Sequence, residues 1–385
     1  MLGFGRGRTR TLAALRRAYA LATGVTLAPS AFYDRFTPEL AELMRQLTEV
    51  AFAKLANSDS RLALALSAFA KVFVVDGSLI RLRDALEADY PSVWTNHTKA
   101  SAKLHVVIDG AHRTPEQIQI VPGARHDLNL LAVGPWCRSS LLLFDLAYYQ
   151  GKLFRKIIDH GGSFLCRVKK DANFVIAAAS KASWVGCKHR DIIGTMKGHS
   201  FEVEVDYIYR NAPERDWRAR HIRLRLIADW DSRSRAHRLY LTNAPQAQLG
   251  ASTAAGVYAM RWEVELLFRE LKSQLRMEQM PSGNKAASGC LIYSTLLALA
   301  FGRCLHRALA KGESARRLFQ RCPVDRWAAV FRAAAASVLD LLVAPPPLRR
   351  RLDRRLRDVL RREMRDPNTR RLLLRSRAQL GRLAA

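Results

Sequence analysis

The order of strand and helix signals between residues 70 and 170 constrains the fold of this chain more than any other feature. Short runs of β-branched and aromatic residues predict three strands in succession, then a helix, a strand, a second helix and a final strand. The strand runs are KVFVVDGSLIRL, KLHVVIDG, EQIQIVP, LLLFDLAYY and SFLCRVKK, and the helix candidates are DLNLLAVG and GKLFRKIIDH. Strands that mix with helices in this order predict a mixed α/β sheet.

The sequence on either side of this segment divides the chain into further regions. Basic helical signals fill the N-terminal region, strand-rich alternating sequence follows the α/β segment, and helices return from about residue 254 to the end. The α/β segment itself predicts a sheet of the ribonuclease-H kind. The resulting regions are 1–66, 67–170, 171–250, 251–310 and 311–385.

Two aspartates follow apolar strand runs within the α/β segment. Asp76 comes after VFVV, and Asp145 comes after LLLF. A carboxylate at the end of a buried strand costs free energy unless it is paired, hydrogen-bonded or bound to a metal ion. Other interpretations stay open, because Asp76 and Gly77 match a hairpin turn, and Asp145 could cap a helix or pair with an arginine.

A third acid lies in YAMRWEVELLFRELKSQLRME, which reads as one helix. A polar stripe within an arc of about 60° carries the side chains of Tyr258, Arg261, Glu265 and Lys272. The flank beside the stripe is apolar, which predicts a face docked on a core, and consists of Val257, Val264, Phe268, Leu271 and Leu275. The stripe would then face a cleft and suit a metal ion and a phosphodiester. The alternative is a solvated helix with i,i+4 pairs such as Glu265–Arg269.

The charge balance indicates the class of partner. The chain has 63 Lys and Arg against 34 Asp and Glu, a net charge of +29, and such an excess indicates nucleic acid. No apolar run is long enough to predict a membrane span, and the basic N-terminus lacks the apolar centre of a secretory signal. The six cysteines are scattered without CxxC spacing, so neither a disulfide framework nor a zinc site is indicated. We therefore predict a soluble protein of a reducing compartment that binds nucleic acid, with no membrane partner.

The three acids indicate a cofactor. Two strand-borne aspartates and a helix-borne glutamate can hold two Mg²⁺ ions about 3.5–4 Å apart, one activating the attacking oxygen and one stabilising the leaving oxygen of a phosphodiester. Carboxylate oxygens suit Mg²⁺, which keeps several waters and needs few protein ligands. The sequence therefore predicts Mg²⁺, with Mn²⁺ able to substitute.

The pattern Tyr258-x2-Arg261-x3-Glu265-x6-Lys272 resembles the Tyr-Arg-Glu-Lys signature of the insertion-sequence-four family of bacterial DDE transposases. The blocks VVDGSLIRL, LLFDLAYYQGKLFRKIIDHGGSFLCRVK and YLTNAP are similar to blocks of the same family, so the resemblance covers about 65–300. It implies an enzyme that cleaves DNA at insertion-sequence ends and joins the ends to target DNA.

The resemblance also implies an architecture and partners. A ribonuclease-H-like catalytic core, formed by 67–170 and 251–310, would be interrupted by a mostly β insertion at 171–250. The helices of 1–66 would recognise transposon ends, and the basic helices of 311–385 would pair protomers or add DNA contacts, although basic helices of this kind are usually solvated surface. The partners would be double-stranded DNA, as terminal inverted repeats and target, and a second protomer in a homodimer on paired ends. The location would be the bacterial cytoplasm, at the nucleoid.

Carried over residue by residue, the family's roles fall on seven positions. The catalytic, metal-binding triad would be Asp76, Asp145 and Glu265. The contacts to DNA would be Tyr258, Arg261, Lys272 and Trp262. Of these, Trp262 would stack on an extruded base; the alternative for Trp262 is a side chain wedged at a domain boundary.

Some positions depart from the family pattern or compete with the triad. Only Tyr240 is aromatic in the strand before the Thr-Asn pair, so a base-flipping hairpin route stays open. Five residues rank lower as structural groups, namely a turn, a helix N-cap, a helix acid and two histidines: Asp109, Asp127, Asp159, His105 and His126. Two other classes also stay open, a ribonuclease-H-fold nuclease or resolvase that does not join strands, and a decayed transposase that only binds DNA.

Overall fold

A computed structural model of the chain describes residues 11–56, 66–93, 98–110, 114–210, 219–309 and 322–367. Three helices come first: α1 (Leu12–Thr23), α2 (Pro29–Tyr33) and α3 (Pro38–Ala56). Thr11 caps α1 by accepting a hydrogen bond from the Ala14 amide, and Gly24 ends it in the left-handed conformation. Helix α3 packs against the edge strand of the sheet described next.

Nine strands form one sheet, which confirms the predicted mixed α/β class. They are β1 (Val72–Arg81), β2 (Ser101–Asp109), β3 (Thr114–Pro122), β4 (Leu141–Phe144), β5 (Ser163–Arg167), β6 (Ile176–Ala178), β7 (Phe201–Arg210), β8 (Ala219–Asp231) and β9 (Ala236–Thr242). Their order across the sheet is β3-β2-β1-β4-β5-β9-β8-β7-β6. The first three are antiparallel, β4 and β5 run parallel to β1, and β9 returns antiparallel to β5.

The strand-rich block after residue 171 extends this sheet. Strand β9 pairs with both β5 and β8, and the β7–β8 pair continues outward to β6. Side chains of β8 and β9 also enter the two apolar layers that cover the α/β strands, Leu226 in one and Tyr240 in the other. The two blocks therefore share one hydrogen-bonded sheet.

The parallel strands explain why the sheet has a covered layer on each face. Strand β4 is buried throughout, as is typical of a parallel strand covered on both sides. Along β1 the side chains alternate, so Val74 enters one apolar layer and Val75 the other. Helix α4 (Gly151–Asp159) follows β4 and covers the second layer with Phe154 and Ile157. The helix α5 (His189–Thr195) lies between β6 and β7.

Helical structure returns after β9; the first three helices cover the first apolar layer, and the last two pack in a separate apolar cluster around Trp327 and Phe331. The segments are α6 (Ala251–Tyr258), α7 (Trp262–Arg269), α8 (Lys285–Leu309), α9 (Val324–Val343) and α10 (Pro346–Glu363). Helix α8 is the one described helix that is long and apolar enough to cross a membrane, but 67% of its most apolar window is buried inside the protein. Since α8 packs against α3 and contributes Leu291 and Leu299 to the core, its composition fits a core helix.

One local prediction was wrong, and one open alternative is excluded. The run DLNLLAVG forms only a 3₁₀ turn, Asp127–Asn129, because Gly134 and Pro135 follow it closely and limit a longer helix. The Asp76–Gly77 pair is not a hairpin turn, since both residues lie within β1 and pair with β2.

Candidate active site

Asp76 lies in the middle of β1, on the face covered by the signature segment, which is the helical stretch of residues 258–274. Its Oδ1 accepts a hydrogen bond from the Gly77 amide at 2.8 Å. Burial raises the pKa of Asp76 to about 6, against an ordinary value near 3.8, and the nearby carboxylates of Asp145 and Asp127 act in the same direction. The strand therefore holds a carboxylate whose negative charge is costly to bury unless a cation comes close to it.

Asp145 lies beside Asp76 because their strands are parallel neighbours in register. Val75 of β1 pairs with Phe144, the last residue of β4, and the residue that follows each of them is an aspartate. Neighbouring strands lie about 4.8 Å apart, which makes the two backbones adjacent. Asp145 Oδ1 accepts a hydrogen bond from the Leu146 amide at 2.7 Å and starts a 3₁₀ turn, so the open alternative of a cap also describes it.

The signature segment is helical, but it is not the single α-helix that the sequence predicted. Helix α6 ends at Tyr258, a 3₁₀ turn covers Ala259–Arg261, α7 follows, and a π-helical turn occupies Glu270–Gln274. In the π turn the Leu275 amide bonds to the Glu270 carbonyl oxygen. The predicted apolar flank is confirmed, since all five of its residues are buried.

Arg261 joins the first and third predicted acids. Its guanidinium lies 2.6 Å from Glu265 Oε1 and 3.6 Å from Asp76 Oδ2, with only 16% of the side chain exposed. Asp145 also acts electrostatically on Arg261. Arg261 thus contacts Asp76 and Glu265 directly, and Asp145 lies near enough to interact with it electrostatically.

Tyr258 closes the site on the side of β4. Its hydroxyl donates to the Phe144 carbonyl oxygen at 3.3 Å, one residue before Asp145, and its ring packs against Tyr240. Burial raises the pKa of Tyr258 well above its ordinary value. Tyr240 is itself buried, with the Arg167 guanidinium over its ring, so it offers no exposed face to a base.

Trp262 and Lys272 have different surroundings from Arg261. Trp262 is 53% exposed, so it is not wedged into a boundary between domains. Lys272 lies in the π turn, and its ammonium pairs with Glu278 at 3.0 Å rather than with a triad acid. Of the two cations predicted to act alike, only Arg261 contacts the acids in the described parts of the chain.

Comparison with known proteins identifies the family of this chain. The family model of the transposase DDE domain matches residues 67–301, which is more than half of the chain. The chain belongs to the transposase DDE domain family. This confirms the predicted resemblance to bacterial insertion-sequence transposases of the DDE class, and the insertion-sequence-four family fits.

Curated relatives of this transposase family member are distant. The chain is 19% identical over 317 residues to the transposase for insertion sequence element IS231B of Bacillus thuringiensis subsp. berliner, covering 72% of this chain and 65% of the relative. It is 20% identical over 332 residues to the transposase for element IS1151 of Clostridium perfringens, covering 76% and 69%. The match to IS231B therefore leaves about a third of the relative's length outside the alignment. A cryo-EM structure of the piggyBac transposase synaptic complex with hairpin DNA is similar with a TM-score of 0.38 and 11% identity, covering 79% of this chain and 60% of that one.

Transposases of the DDE class generally use divalent metal ions, so we tested whether the acids fit one. The donor set is made of carboxylate oxygens, which is the chemistry that Mg²⁺ and Mn²⁺ prefer. The Arg261 guanidinium lies between Asp76 and Glu265 and supplies there the positive charge that a metal ion would supply. Within the described residues no three acid, histidine or cysteine side chains lie close enough to hold a metal as they stand. The carboxylate oxygens therefore fit Mg²⁺ or Mn²⁺, and the distances between the carboxylates are those of groups that surround an arginine.

The lower-ranked residues fall in two groups. Asp159 pairs with Arg155 on the surface of α4, away from the acids, and Asp109 ends β2. Asp127, in contrast, was misjudged as an N-cap. His126 is the N-cap of the turn, and Asp127 lies against β1 beside Gly77. The sequence signal for this contact is the glycine after Asp76, since only glycine leaves room there for the Asp127 carboxylate.

Proposed function

We propose that this chain is a DNA transposase that cleaves phosphodiester bonds at insertion-sequence ends and joins them to target DNA with Mg²⁺, on a ribonuclease-H-like core. One observation carries the proposal: Arg261 of the signature segment lies between Asp76 and Glu265, and Asp145 is the adjacent residue on the parallel strand. A protein that only binds DNA has no use for three carboxylates gathered where phosphates must approach. The strand order, with β1 between an antiparallel pair and two parallel strands, is the order expected of such a core.

The residues of the site have separate tasks in this proposal. Asp76, Asp145 and Glu265 would hold the divalent ions, which supply activation of the attacking oxygen and neutralise charge on the leaving one. The Gly77 amide orients the Asp76 carboxylate by holding Oδ1, so that Oδ2 faces the cleft. Tyr258 supports the β4 end of the cleft through its bond to the Phe144 carbonyl.

Arg261 and Trp262 are the groups that would meet DNA. A guanidinium binds phosphate in a bidentate geometry, so a DNA phosphate can draw Arg261 away from the acids. The exposed ring of Trp262 is available to stack on an extruded base. Lys272 would contact the DNA backbone farther along the DNA strand, after its ion pair with Glu278 is broken.

The helices outside the core are assigned to assembly. The helices before residue 66 would recognise the ends, and the C-terminal helices would pair protomers in a homodimer or add DNA contacts. On α10 the arginines Arg350, Arg354 and Arg361 lie within about 40° on one exposed side. Alanine at all three should lower paired-end assembly, measured by light scattering, or flatten the salt dependence of DNA binding by about three units of slope. No change in either would contradict the assignment.

The triad is tested by neutralising one acid at a time. Asp76→Asn, Asp145→Asn and Glu265→Gln should each abolish Mg²⁺-dependent cleavage of duplexes that carry the inverted repeats flanking the gene. DNA binding should stay close to wild type, because it rests mainly on phosphate contacts. Asp159→Asn is the matched control, since Asp159 is an exposed carboxylate already paired with Arg155.

The same assay separates the proposal from its alternatives. Cleavage that persists in any triad variant would overturn the site. Cleavage by wild type without joined product in a plasmid-target assay would favour a nuclease or resolvase. Specific binding with neither reaction would favour a decayed transposase.

A further inference from the structure

Behind Asp76, on the opposite face of β1, lies a small polar cluster of Lys103, His105, Asp127 and Tyr148. The register pairs Gly77 with His105 and Leu79 with Lys103, so Gly77, His105 and Lys103 share the face that Asp76 does not. The 3₁₀ turn Asp127–Asn129 lies over this face. The cluster is therefore separated from the cleft only by the backbone of β1.

Asp127 occupies the space where a side chain at residue 77 would be. A methyl group built on Gly77 would overlap Asp127 Oδ1, which means that the carboxylate packs directly against the Gly77 Cα. The other oxygen, Oδ2, pairs with Lys103 Nζ at 3.0 Å, and Lys103 also donates to the Arg125 carbonyl oxygen. Asp127 is thus fixed from one side and presses on Gly77 from the other.

Three polar atoms of the cluster lack a hydrogen-bond partner among the described residues. They are Asp127 Oδ1, His105 Nε2 and the Tyr148 hydroxyl oxygen, all buried. The His105 and Tyr148 rings lie 6.0 Å apart, and the negative charge of Asp127 acts to raise the pKa of both side chains. Since such atoms cost free energy when buried, a group of three in one place indicates a functional constraint.

Helix capping does not explain Asp127, because the neighbouring His126 caps the turn. The Gly77 peptide does offer an explanation, since its amide holds Asp76 Oδ1 and leaves Oδ2 toward Arg261. We propose that Asp127 is a positioning residue that fixes the Gly77 peptide from behind and so aims the Asp76 carboxylate into the cleft. This inference rests on the proposed function, in which Asp76 is a metal ligand.

The test is a double-mutant cycle of Asp127→Ala and Gly77→Ala. Mn²⁺ binding to the full DNA-free chain is measured by calorimetry, with Asp76→Asn as reference. Outer-shell partners of metal ligands typically contribute about 10–100-fold to metal affinity, so each single variant should weaken Mn²⁺ binding by about that factor. In the double variant the overlap is gone, so the affinity should return to that of Asp127→Ala rather than fall by the product of both losses.

Controls separate positioning from loss of structure. Lys103→Ala breaks the ion pair but leaves the Asp127 carboxylate beside Gly77, so it should change Mn²⁺ affinity less than Asp127→Ala does. Circular dichroism shows whether each variant is folded, and Asp127→Asn keeps the volume of the side chain if the alanine variant is not.

The inference would be overturned if Asp127→Ala or Gly77→Ala bound Mn²⁺ as wild type does, or if the double variant were no better than additive. It would also be overturned if Asp127→Asn, which keeps the packing against Gly77, bound Mn²⁺ as weakly as Asp127→Ala does. It would also be overturned if Asp76→Asn left Mn²⁺ binding unchanged. Parallel cleavage assays keep the two proposals distinct. If the wild type and the variants bind Mn²⁺ with the predicted affinities but the wild type cuts no DNA, the proposed function is refuted and the role of Asp127 is supported.

Discussion

The two halves of the signature segment have opposite surroundings. In the first half, residues 258–265, Arg261 faces the acids of the sheet across a partly open cleft. In the second half, the π turn Glu270–Gln274, Glu270 is paired with Arg303 of α8, and both side chains are 6% exposed. Turns of this kind occur frequently at functional sites. The first half therefore holds the partners that the proposed function exchanges for DNA and metal, while the second half is anchored in the core.

The largest effect is expected from the anchored half. Arg303→Ala removes the guanidinium that pairs with the buried Glu270 carboxylate, which should lower the free energy of unfolding by about 3–5 kcal/mol. Arg357→Ala is the matched control, because Arg357 pairs with Asp353 on the exposed surface of α10 and should contribute about 0–1 kcal/mol. Urea unfolding measures both. Equal losses would show that the second half is not anchored by this pair.

The first half of the signature segment should show the reverse, because the acid that it faces, Asp76, lowers the stability of the folded protein. Because burial raises the pKa of Asp76 to about 6, the folded protein binds this proton more tightly than the unfolded chain. The stability that this provides is fully present below about pH 4 and is lost as the pH rises through about 6. Asp76→Asn removes that loss and should be more stable than wild type by about 1–3 kcal/mol at pH 8, with no difference near pH 4.

Thermal or urea unfolding of both proteins in chelator, from pH 4 to pH 8, measures this difference. A variant less stable than wild type at pH 8 would mean that the Asp76 carboxylate stabilises the fold, contrary to the comparison.

A smaller difference is expected between Arg261 of the first half and Lys272 of the second. Removing the Arg261 guanidinium leaves the carboxylates of Asp76 and Glu265 free to bind a metal ion. Two unit charges about 4 Å apart interact by up to about 4 kcal/mol near a protein surface, so the guanidinium competes with the metal by an energy of that order. Arg261→Ala should therefore tighten Mn²⁺ binding of the DNA-free protein, by at least about tenfold, or about 1.4 kcal/mol. Lys272→Ala should leave it unchanged, since Lys272 pairs with Glu278.

DNA binding supplies the complementary measurement. Both variants should weaken binding about evenly across DNA sequences and reduce the slope of the salt dependence by about one unit. A loss confined to the inverted repeats would mean that these side chains read bases.

The smallest effect on stability is expected at Trp262. Because half of this side chain is exposed, Trp262→Ala should change the free energy of unfolding by about 0.5 kcal/mol or less. Binding to DNA with an unpaired base at the end should nevertheless weaken by about 1–3 kcal/mol, as is typical of base stacking. Equal binding by variant and wild type would remove Trp262 from the DNA-contacting half.

The sequence predicted the sheet and the acids for definite physical reasons. Apolar runs and the acids that follow them are local features, so β1, β4 and the neighbouring positions of Asp76 and Asp145 could be inferred. Helical periodicity also predicted the buried flank of the signature segment. The π turn could not be predicted, because it accompanies the Glu270–Arg303 pair between residues 33 positions apart.

Contacts between distant residues also explain the other differences. Lys272 lies on the predicted stripe of an ideal helix, but its ion pair with Glu278 depends on the path of the chain after the π turn. Asp127 meets Gly77 only because the chain that follows the edge strand β3 crosses the face of β2 to reach β1. The periodicity of the sequence predicts neither the Lys272–Glu278 pair nor the Asp127–Gly77 contact.

Anomalous diffraction from crystals of the wild-type protein soaked in Mn²⁺ would locate the metal site. We expect manganese density bounded by Asp76, Asp145 and Glu265, with the Arg261 guanidinium displaced from the Asp76 carboxylate and the Glu270–Arg303 pair unchanged. Manganese bound elsewhere, or Arg261 still seated between Asp76 and Glu265 with no metal beside them, would contradict this expectation.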